Sequence, residues 1–186
     1  MTATRIDRAA LVRRALVELV AERGFRGTSM AAVAERAGVA TGTAYVHYGS
    51  KDDLVLAAYK ELKHDMGLAG SAVELAVDPA ARFRELWLSF YRHLASDPVR
   101  ARFLAQVAAS PLAAAAHDAV DIDEVSELVQ VVGSDMLELF VDLPMSVVYD
   151  LSIGPIVRLV SSGELLTPAD LDLLAAACWR AVTRPA

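Results

Sequence analysis

Cysteine is nearly absent from this chain, since Cys178 is the only one among its 186 residues. A lone thiol cannot form a disulfide within the chain, which favours a reducing compartment, and we expect the cytoplasm. No apolar run reaches the roughly 18 residues that a membrane-spanning helix needs. The first residues also lack the apolar core of a secretory signal. These scarcities argue against a secreted or membrane-embedded protein.

Positive charge is scarce as well, but only after the first third of the chain. Residues 1–60 hold nine Lys and Arg against six acids, a net charge of +3, whereas the remaining residues carry −9. An acidic protein is repelled by a polyanion, so only the N-terminal part could supply affinity for one. The hydrophobic content of 55% excludes a disordered chain.

Strand-like alternation of polar and apolar residues is missing, whereas caps and stops of helices recur throughout. Gly24 and Gly38 are expected to end the first two helices, and only residues 67–76 are expected to be loosely structured. Helices are expected to start after Asp7, Thr28 and Ser50 and at the Asp-Pro pairs 78–79 and 97–98, and to cover about 41–48, 123–141, 145–162 and 168–183. The sequence therefore predicts an all-α protein.

Two of these helices are short and separated only by residues 38–40, which is the arrangement of a helix-turn-helix. In that motif the first helix braces against the DNA backbone and the second enters the major groove. The second helix here, over 41–48, is rich in small and hydrogen-bonding side chains and lacks the wide apolar stripe of a core helix. We therefore predict a DNA-binding domain over residues 1–50 and a helical domain over residues 51–186.

Individual side chains of this motif suit contacts with DNA. Gly42 would let the backbone approach the groove closely, and Thr43 and Tyr45 can bond phosphates or base edges. Lys51 lies at the start of the next helix, where its charge and the free N–H groups of the helix end suit a phosphate.

Residues 11–59 resemble the tetracycline-repressor (TetR) family of bacterial regulators. The matching residues stand at fixed offsets: Ala15, Leu19, Gly24, Phe25, Thr28, Val33, Ala34, Gly38, Val39, Gly42, Thr43, Tyr45, His47, Tyr48, Lys51 and Leu54. Further along, residues 153–159 with Gly163 and the pair 167–168 look like the penultimate helix and turn of one subgroup of the family.

The resemblance implies a fold, a partner and contact residues. The fold is a three-helix DNA-binding head joined by a fourth helix to a helical body that binds a ligand and dimerises. The family's DNA-facing positions correspond here to Thr28, Thr43, Tyr45, His47 and Lys51, and its sequence-selecting positions to Thr41 and Val46. The expected protein is a homodimeric repressor, with no cofactor or metal, that leaves a palindromic operator when a small, mainly apolar or aromatic molecule enters its body.

Three positions of the head depart from the family pattern. Ala40 stands where a capping serine is common, which is expected to weaken the start of the recognition helix by about 1 kcal/mol. Ala44 replaces a larger aliphatic residue and thins the packing under that helix, and Tyr48 replaces phenylalanine.

The body offers candidates for a ligand pocket and a dimer interface. Pocket walls are largely apolar and aromatic, and the expected set, which can equally be plain core, is Tyr59, Leu62, Met66, Trp87, Phe90, Tyr91, Phe103 and Met136. The helix over 145–162 is apolar nearly all round, so it must be covered on two sides. With the last helix it is expected to meet a second copy through Val148, Leu151, Ile156, Leu159, Leu173 and Ala177.

Other functions remain open at this point. Glu61 and His64 form a Glu-x-x-His pair, the spacing of di-iron helical bundles, although such sites need a second pair and further glutamates. An adaptor that binds only proteins would leave the basic N-terminal part unexplained. A member of the TetR family could also activate transcription or lack a ligand.

Overall fold

The computed structural model describes residues 7–72, 76–120 and 132–184, most of which are helical. The helices are α1 (Arg8–Arg23), α2 (Met30–Arg36), α3 (Thr41–His47), α4 (Lys51–Ser71), α5 (Pro79–Ser96), α6 (Pro98–Ala108), α7 (Ala113–Asp118), α8 (Ser134–Leu137), α9 (Met145–Ser152), α10 (Gly154–Ser162) and α11 (Pro168–Val182). Across these ranges, extended pairing is limited to an isolated bridge between Phe140 and Thr183. No described helix is long and apolar enough to cross a bilayer. The all-α prediction is confirmed.

Helices α1 to α3 form the head, and local capping decides where they begin. The Asp7 carboxylate accepts two amides of the first turn of α1, and Gly24 ends the helix with a φ of 70°, as predicted. The predicted cap of α2 is wrong by one residue, because the hydroxyl of Ser29 accepts the amide of the first turn. Thr28 is buried instead, and its hydroxyl donates to the carbonyl of Gly24.

The body is built around α4, which leaves the head and runs into the core. Ser50 caps α4 by accepting the amide of Asp53, as predicted. Helix α5 packs against α4, α10 and α11, while α6 packs between α1 of the head and α10 of the body. The inward side chains of α4 and α5 are buried as predicted: Val55, Tyr59, Leu62, Met66, Phe83, Leu86, Trp87, Phe90 and Leu94. Head and body therefore share one hydrophobic core.

Two predicted helix boundaries are wrong. Helix α4 continues to Ser71, into the region that was expected to be loose. The single helix expected over 145–162, with a kink or a lost hydrogen bond expected at Pro155, is divided into α9 and α10 at Ile153. Pro155 lies in the first turn of α10, where its missing amide hydrogen costs no helical hydrogen bond, so the chain starts a new helix there.

The helix expected over 123–141 is largely replaced by other structure in its described part. Residues 121–131 lie outside the described residues. From there on, Gly133 adopts a φ of 78°, which a helix does not accommodate, and only the four-residue α8 follows. Helix α7 has no counterpart among the predicted helices.

Candidate nucleic-acid interface

Helix α3 lies on the outside of the head and is anchored by one small side chain. Ala44 is fully buried where α3 packs on α2 and α1. On the opposite face, Tyr45 is 51% exposed and Val46 is 83% exposed. Ala40 at the N-cap makes no side-chain hydrogen bond, as its lack of a hydroxyl predicts. The outer face of α3 is therefore open to a partner outside the chain.

Most of the predicted DNA-facing residues lie along this open face. Thr41, Gly42, Tyr45 and His47 are exposed, and Thr43 is half-buried. A Cβ added at Gly42 would meet nothing within 4 Å, so no neighbour inside the chain requires a glycine there. The missing side chain leaves the backbone accessible to a close approach from outside.

Thr28 and Lys51, the remaining predicted DNA-facing residues, are used inside the head. Thr28 is only 3% exposed, which leaves its side chain almost no surface for a phosphate. The ammonium of Lys51 donates to the carbonyls of Phe25 at 3.0 Å and of Thr28 at 3.2 Å, so two of its three protons are taken. Both side chains brace the loop between α1 and α2. Sequence reasoning missed this role, because loop carbonyls leave no pattern in a sequence.

A polar junction joins the end of α3 to α1 and α4. The guanidinium of Arg13 donates to the two carboxylate oxygens of Glu61 at 2.7 and 2.9 Å and to the hydroxyl of Tyr48 at 2.7 Å. Tyr48 donates in turn to the carbonyl of Ala9 at 3.3 Å. The hydrogen bonds to Glu61 hold the pKa of Arg13 above its usual value. The tyrosine that departs from the family pattern thus completes a network, which the sequence reading missed.

Part of the positive charge of the head is neutralised within it. Arg36 bonds both carboxylate oxygens of Glu22 at 3.0 Å and lies 3.3 Å from Glu18, and its hydrogen bonds lower the pKa of the Glu22 carboxyl. In the described part of the chain, Arg8 and Arg26 form no ion pair, and both are exposed. These two arginines add unneutralised charge to the head that the predicted set did not include.

The predicted pocket residues all lie in or against the hydrophobic core. Seven are at most 7% exposed, namely Tyr59, Leu62, Met66, Trp87, Phe90, Phe103 and Met136, and Tyr91 is half-buried. The Trp87 indole N–H donates to the carbonyl of Ser152 at 2.8 Å, which ties α5 to α9. A core role alone accounts for this packing.

The predicted dimer residues separate into an inner and an outer group. Val148, Ile156 and Leu159 are at most 4% exposed, so they have almost no surface to offer a second chain. The outer group is exposed, with Leu151 at 39% and Leu173 at 69%, and Ala177 beside them on α11. The apolar surface lies on α9 and α11, because the buried side of α10 serves the chain's own core.

The Glu-x-x-His pair is not assembled into a metal site in the part of the chain that the structure describes. No group of three or more His, Cys, Asp and Glu side chains there could hold a metal ion. Glu61 is engaged with Arg13 instead.

The fold and the exposed face of α3 together define a helix-turn-helix protein with an all-helical body. Comparison with known proteins narrows this class. Residues 12–58 match the family model described as bacterial regulatory proteins, tetR family. This match confirms the resemblance to the TetR family that the sequence pattern of the head indicates.

Relatives and solved structures extend the likeness beyond the head. The transcriptional regulator BetI of Burkholderia cenocepacia is 29% identical over 116 residues, which cover 52% of this chain and 59% of BetI. TtgR of Pseudomonas putida is 37% identical over 78 residues, 41% of this chain and 37% of TtgR. The chain thus spans less than two thirds of the length of these curated relatives. A TetR-family regulator from Marinobacter aquaeolei superposes with a TM-score of 0.69 over 96% of both chains at 22% identity, so the body shares that fold.

Proposed function

We propose that this chain is a transcriptional repressor that binds an inverted-repeat operator as a homodimer and is released by a small, mainly apolar or aromatic ligand. The observation that carries the proposal is the open face of α3, where four predicted contact residues are exposed around a single buried anchor, Ala44. A helix that served only the core would bury a wider face. The cytoplasm, where its DNA lies, is the proposed site of action.

Contacts with DNA divide into those that position the head and those that read sequence. Tyr45 and Thr43 can donate hydrogen bonds to phosphates, while Arg8 and Arg26 supply unneutralised charge. Thr41 and Val46 lie on the exposed face, where the methyl groups of either can touch the methyl of thymine in the major groove. Positioning and reading therefore fall to different residues of one short helix and its surroundings.

The DNA-binding proposal is tested by fluorescence anisotropy with duplexes from the region upstream of the chain's own gene. We expect specific binding with a Kd of about 10⁻⁸ to 10⁻¹¹ M. Tyr45→Phe should weaken binding to all sequences, whereas Val46→Ala should change which sequence is preferred. Val77→Ala is the control, because Val77 is 92% exposed and lies just before α5, outside the head. Variants of α3 that bind as the wild type does would exclude this interface.

The homodimer proposal is supported by the apolar surface of α9 and α11. Leu151 and Leu173 expose large apolar side chains in the acidic body, and the small Ala177 allows a second helix to approach closely. A symmetric dimer would place two heads on one face of DNA, which requires half-sites about 34–36 Å apart.

Analytical ultracentrifugation at micromolar concentration tests the dimer. The wild type should sediment as a dimer, and Leu173→Glu should yield folded monomers because the charge falls on exposed surface. Val46→Glu, a charge on an exposed apolar residue of α3 in the head, should leave the dimer intact. A monomeric wild type would end this part of the proposal.

Release by a ligand is supported by two contacts between body and head. Helix α4 of the body packs against α1 of the head, and α6 packs against α1 on one side and α10 on the other. A ligand that binds one arrangement of these helices more tightly shifts the population toward it, and DNA must then weaken ligand binding by the same factor. Ligand titration with and without operator measures both effects, and equal ligand affinity in the two titrations would refute the coupling.

A further inference from the structure

A cluster of polar and aromatic side chains lies where α4, α7 and α9 meet. Lys63 of α4 places its Nζ 3.4 Å from the ring centroid of Tyr149 and 5.9 Å from that of Tyr59. His117 of α7 touches both tyrosines, with ring centroids 5.6 Å from Tyr149 and 6.3 Å from Tyr59. Four side chains with hydrogen-bonding ends are gathered here, and three of them were absent from the predicted pocket.

Lys63 has no counter-ion in this cluster. Across the described residues its ammonium forms no ion pair, and the acid that influences it most, Asp150, is exposed and beyond ion-pair distance. Burial lowers the pKa of Lys63 to about 7, although Asp150 acts in the opposite direction. The face of the Tyr149 ring attracts the cation, but it does not replace the lost hydration. An ammonium in such a position is stabilised by an added anion.

His117 has an unused acceptor in the same cluster. Its Nδ1 lies 2.9 Å from the carbonyl oxygen of Ala113, and because a carbonyl only accepts, Nδ1 carries the proton. In the neutral ring, Nε2 is then an acceptor. That atom is buried and has no hydrogen-bond partner among the residues that the structure describes. Buried polar atoms are nearly always paired, so this acceptor is available to a partner beyond the described residues.

We propose that this cluster binds the acid group of the effector. A carboxylate of the ligand pairs with Lys63, a neighbouring hydroxyl or amine donates to Nε2 of His117, and an aromatic or apolar body lies along Tyr59 and Tyr149. The ligand class is an aromatic or aliphatic carboxylic acid, with affinity greatest where the acid also carries a donor. The regulatory meaning of the site rests on the proposed repressor function, but binding itself does not.

The position of Lys63 on α4 connects this site to the head. Glu61, two residues earlier on the same helix, holds Arg13, which bonds Tyr48 at the end of α3. An acid that draws Lys63 toward itself shifts or rotates α4 and so acts on this junction. The site and the end of α3 are thus connected through α4 and the hydrogen bonds of Arg13.

The test is isothermal titration of the full chain, without DNA, with benzoate, salicylate, 4-hydroxybenzoate and octanoate and with the amide of each acid. At least one acid should bind tenfold or more tightly than its amide. Lys63→Met should abolish that preference and Lys63→Arg should keep it. Lys60→Met, on the same helix, should also keep it. His117→Phe should reduce the affinity for the hydroxylated acids more than for benzoate, and circular dichroism must show each variant folded.

Three results would overturn the proposal: equal affinity for acids and amides, no binding by any member of the panel, or an acid preference that survives in folded Lys63→Met. Operator release is measured separately, by anisotropy with the acid that binds. An acid that binds through Lys63 without releasing DNA supports the site and counts against ligand-controlled repression. Failure to bind DNA at all contradicts the repressor function and leaves the titration result standing.

Discussion

The head and the body treat their polar side chains in opposite ways. In the head, the ammonium of Lys51 bonds two loop carbonyls and Arg13 bonds both a carboxylate and a hydroxyl, so the inner polar groups are satisfied within the chain. In the described part of the body, Lys63 and the Nε2 of His117 are left without such partners. An interior whose polar groups are all hydrogen-bonded keeps the outer surface fixed, which suits a head that binds DNA. An interior with unpaired polar groups suits a domain that binds a ligand.

The largest expected effect comes from the core of the body. Trp87 is 1% exposed and donates to the Ser152 carbonyl, so Trp87→Ala should lower the free energy of unfolding by about 3–5 kcal/mol. Urea denaturation measures the loss. Trp179→Ala, at a half-buried position, is the control and should cost less. A loss below about 1 kcal/mol for Trp87→Ala would mean that this tryptophan lines open space instead of filling the core.

The next effect concerns the junction of the head. Arg13→Met removes three hydrogen bonds and should cost about 1–2 kcal/mol, because the arginine is mostly buried while Glu61 remains accessible to water. DNA binding should weaken as well, since the end of α3 loses its support. Arg14→Met, which breaks an exposed pair with Glu18, is the matched control and should change neither quantity measurably. Equal effects of the two substitutions would show that the hydrogen bonds of Arg13 do not support α3.

The unpaired ammonium of Lys63 in the body should make the stability of the protein depend on pH. The pKa of Lys63 is lowered from 10.5 to about 7 in the folded chain, so above pH 7 the unfolded state binds more protons there than the folded state. Wild-type stability should therefore rise with pH relative to Lys63→Met, by at most about 1.4 kcal/mol per pH unit. Urea denaturation of both proteins from pH 6 to 9 measures this difference. A difference independent of pH would show that the ammonium is well solvated or paired.

The smallest expected effect adds the cap that α3 lacks. Ala40 has extended backbone angles at the N-cap and no side-chain bond, so Ala40→Ser can accept an amide of the first turn without rearrangement. We expect a gain of about 0.5–1 kcal/mol in stability and slightly tighter DNA binding. Thermal unfolding measures the gain in stability. Ala37→Ser, next to the turn, is the control. A destabilised Ala40→Ser protein would contradict the cap geometry.

The sequence predicted the head better than the body, for physical reasons. Caps and stops such as Asp7, Gly24 and Ser50 act within one turn of chain, so local pattern locates them. Division of the apolar segment at Ile153 and the interruption at Gly133 depend on backbone geometry that apolar periodicity does not encode. Apolar periodicity also indicates that a residue is buried, but not whether its own chain or a second copy buries it. For this reason Ile156, which lies in the core, was predicted at the dimer interface.

Contacts between distant segments were the least predictable part of the candidate sites. Lys51 bonds the α1–α2 loop at Thr28 and Phe25, which precede it in the chain by 23 and 26 positions. The cluster at Lys63 brings together side chains from three helices. No local pattern announces either contact. Residue type alone, in turn, could not reveal that Thr28 faces inward.

The most direct test of the central claim is selection of bound duplexes from a random DNA pool by the full chain, run in parallel with the variants Val46→Ala and Val77→Ala. We expect an enriched inverted repeat with half-site centres about 34–36 Å apart. Val46→Ala should enrich an altered half-site, whereas Val77→Ala should enrich the wild-type sequence. No enrichment by the wild type, or the same sequence from all three proteins, would contradict the claim that α3 reads DNA.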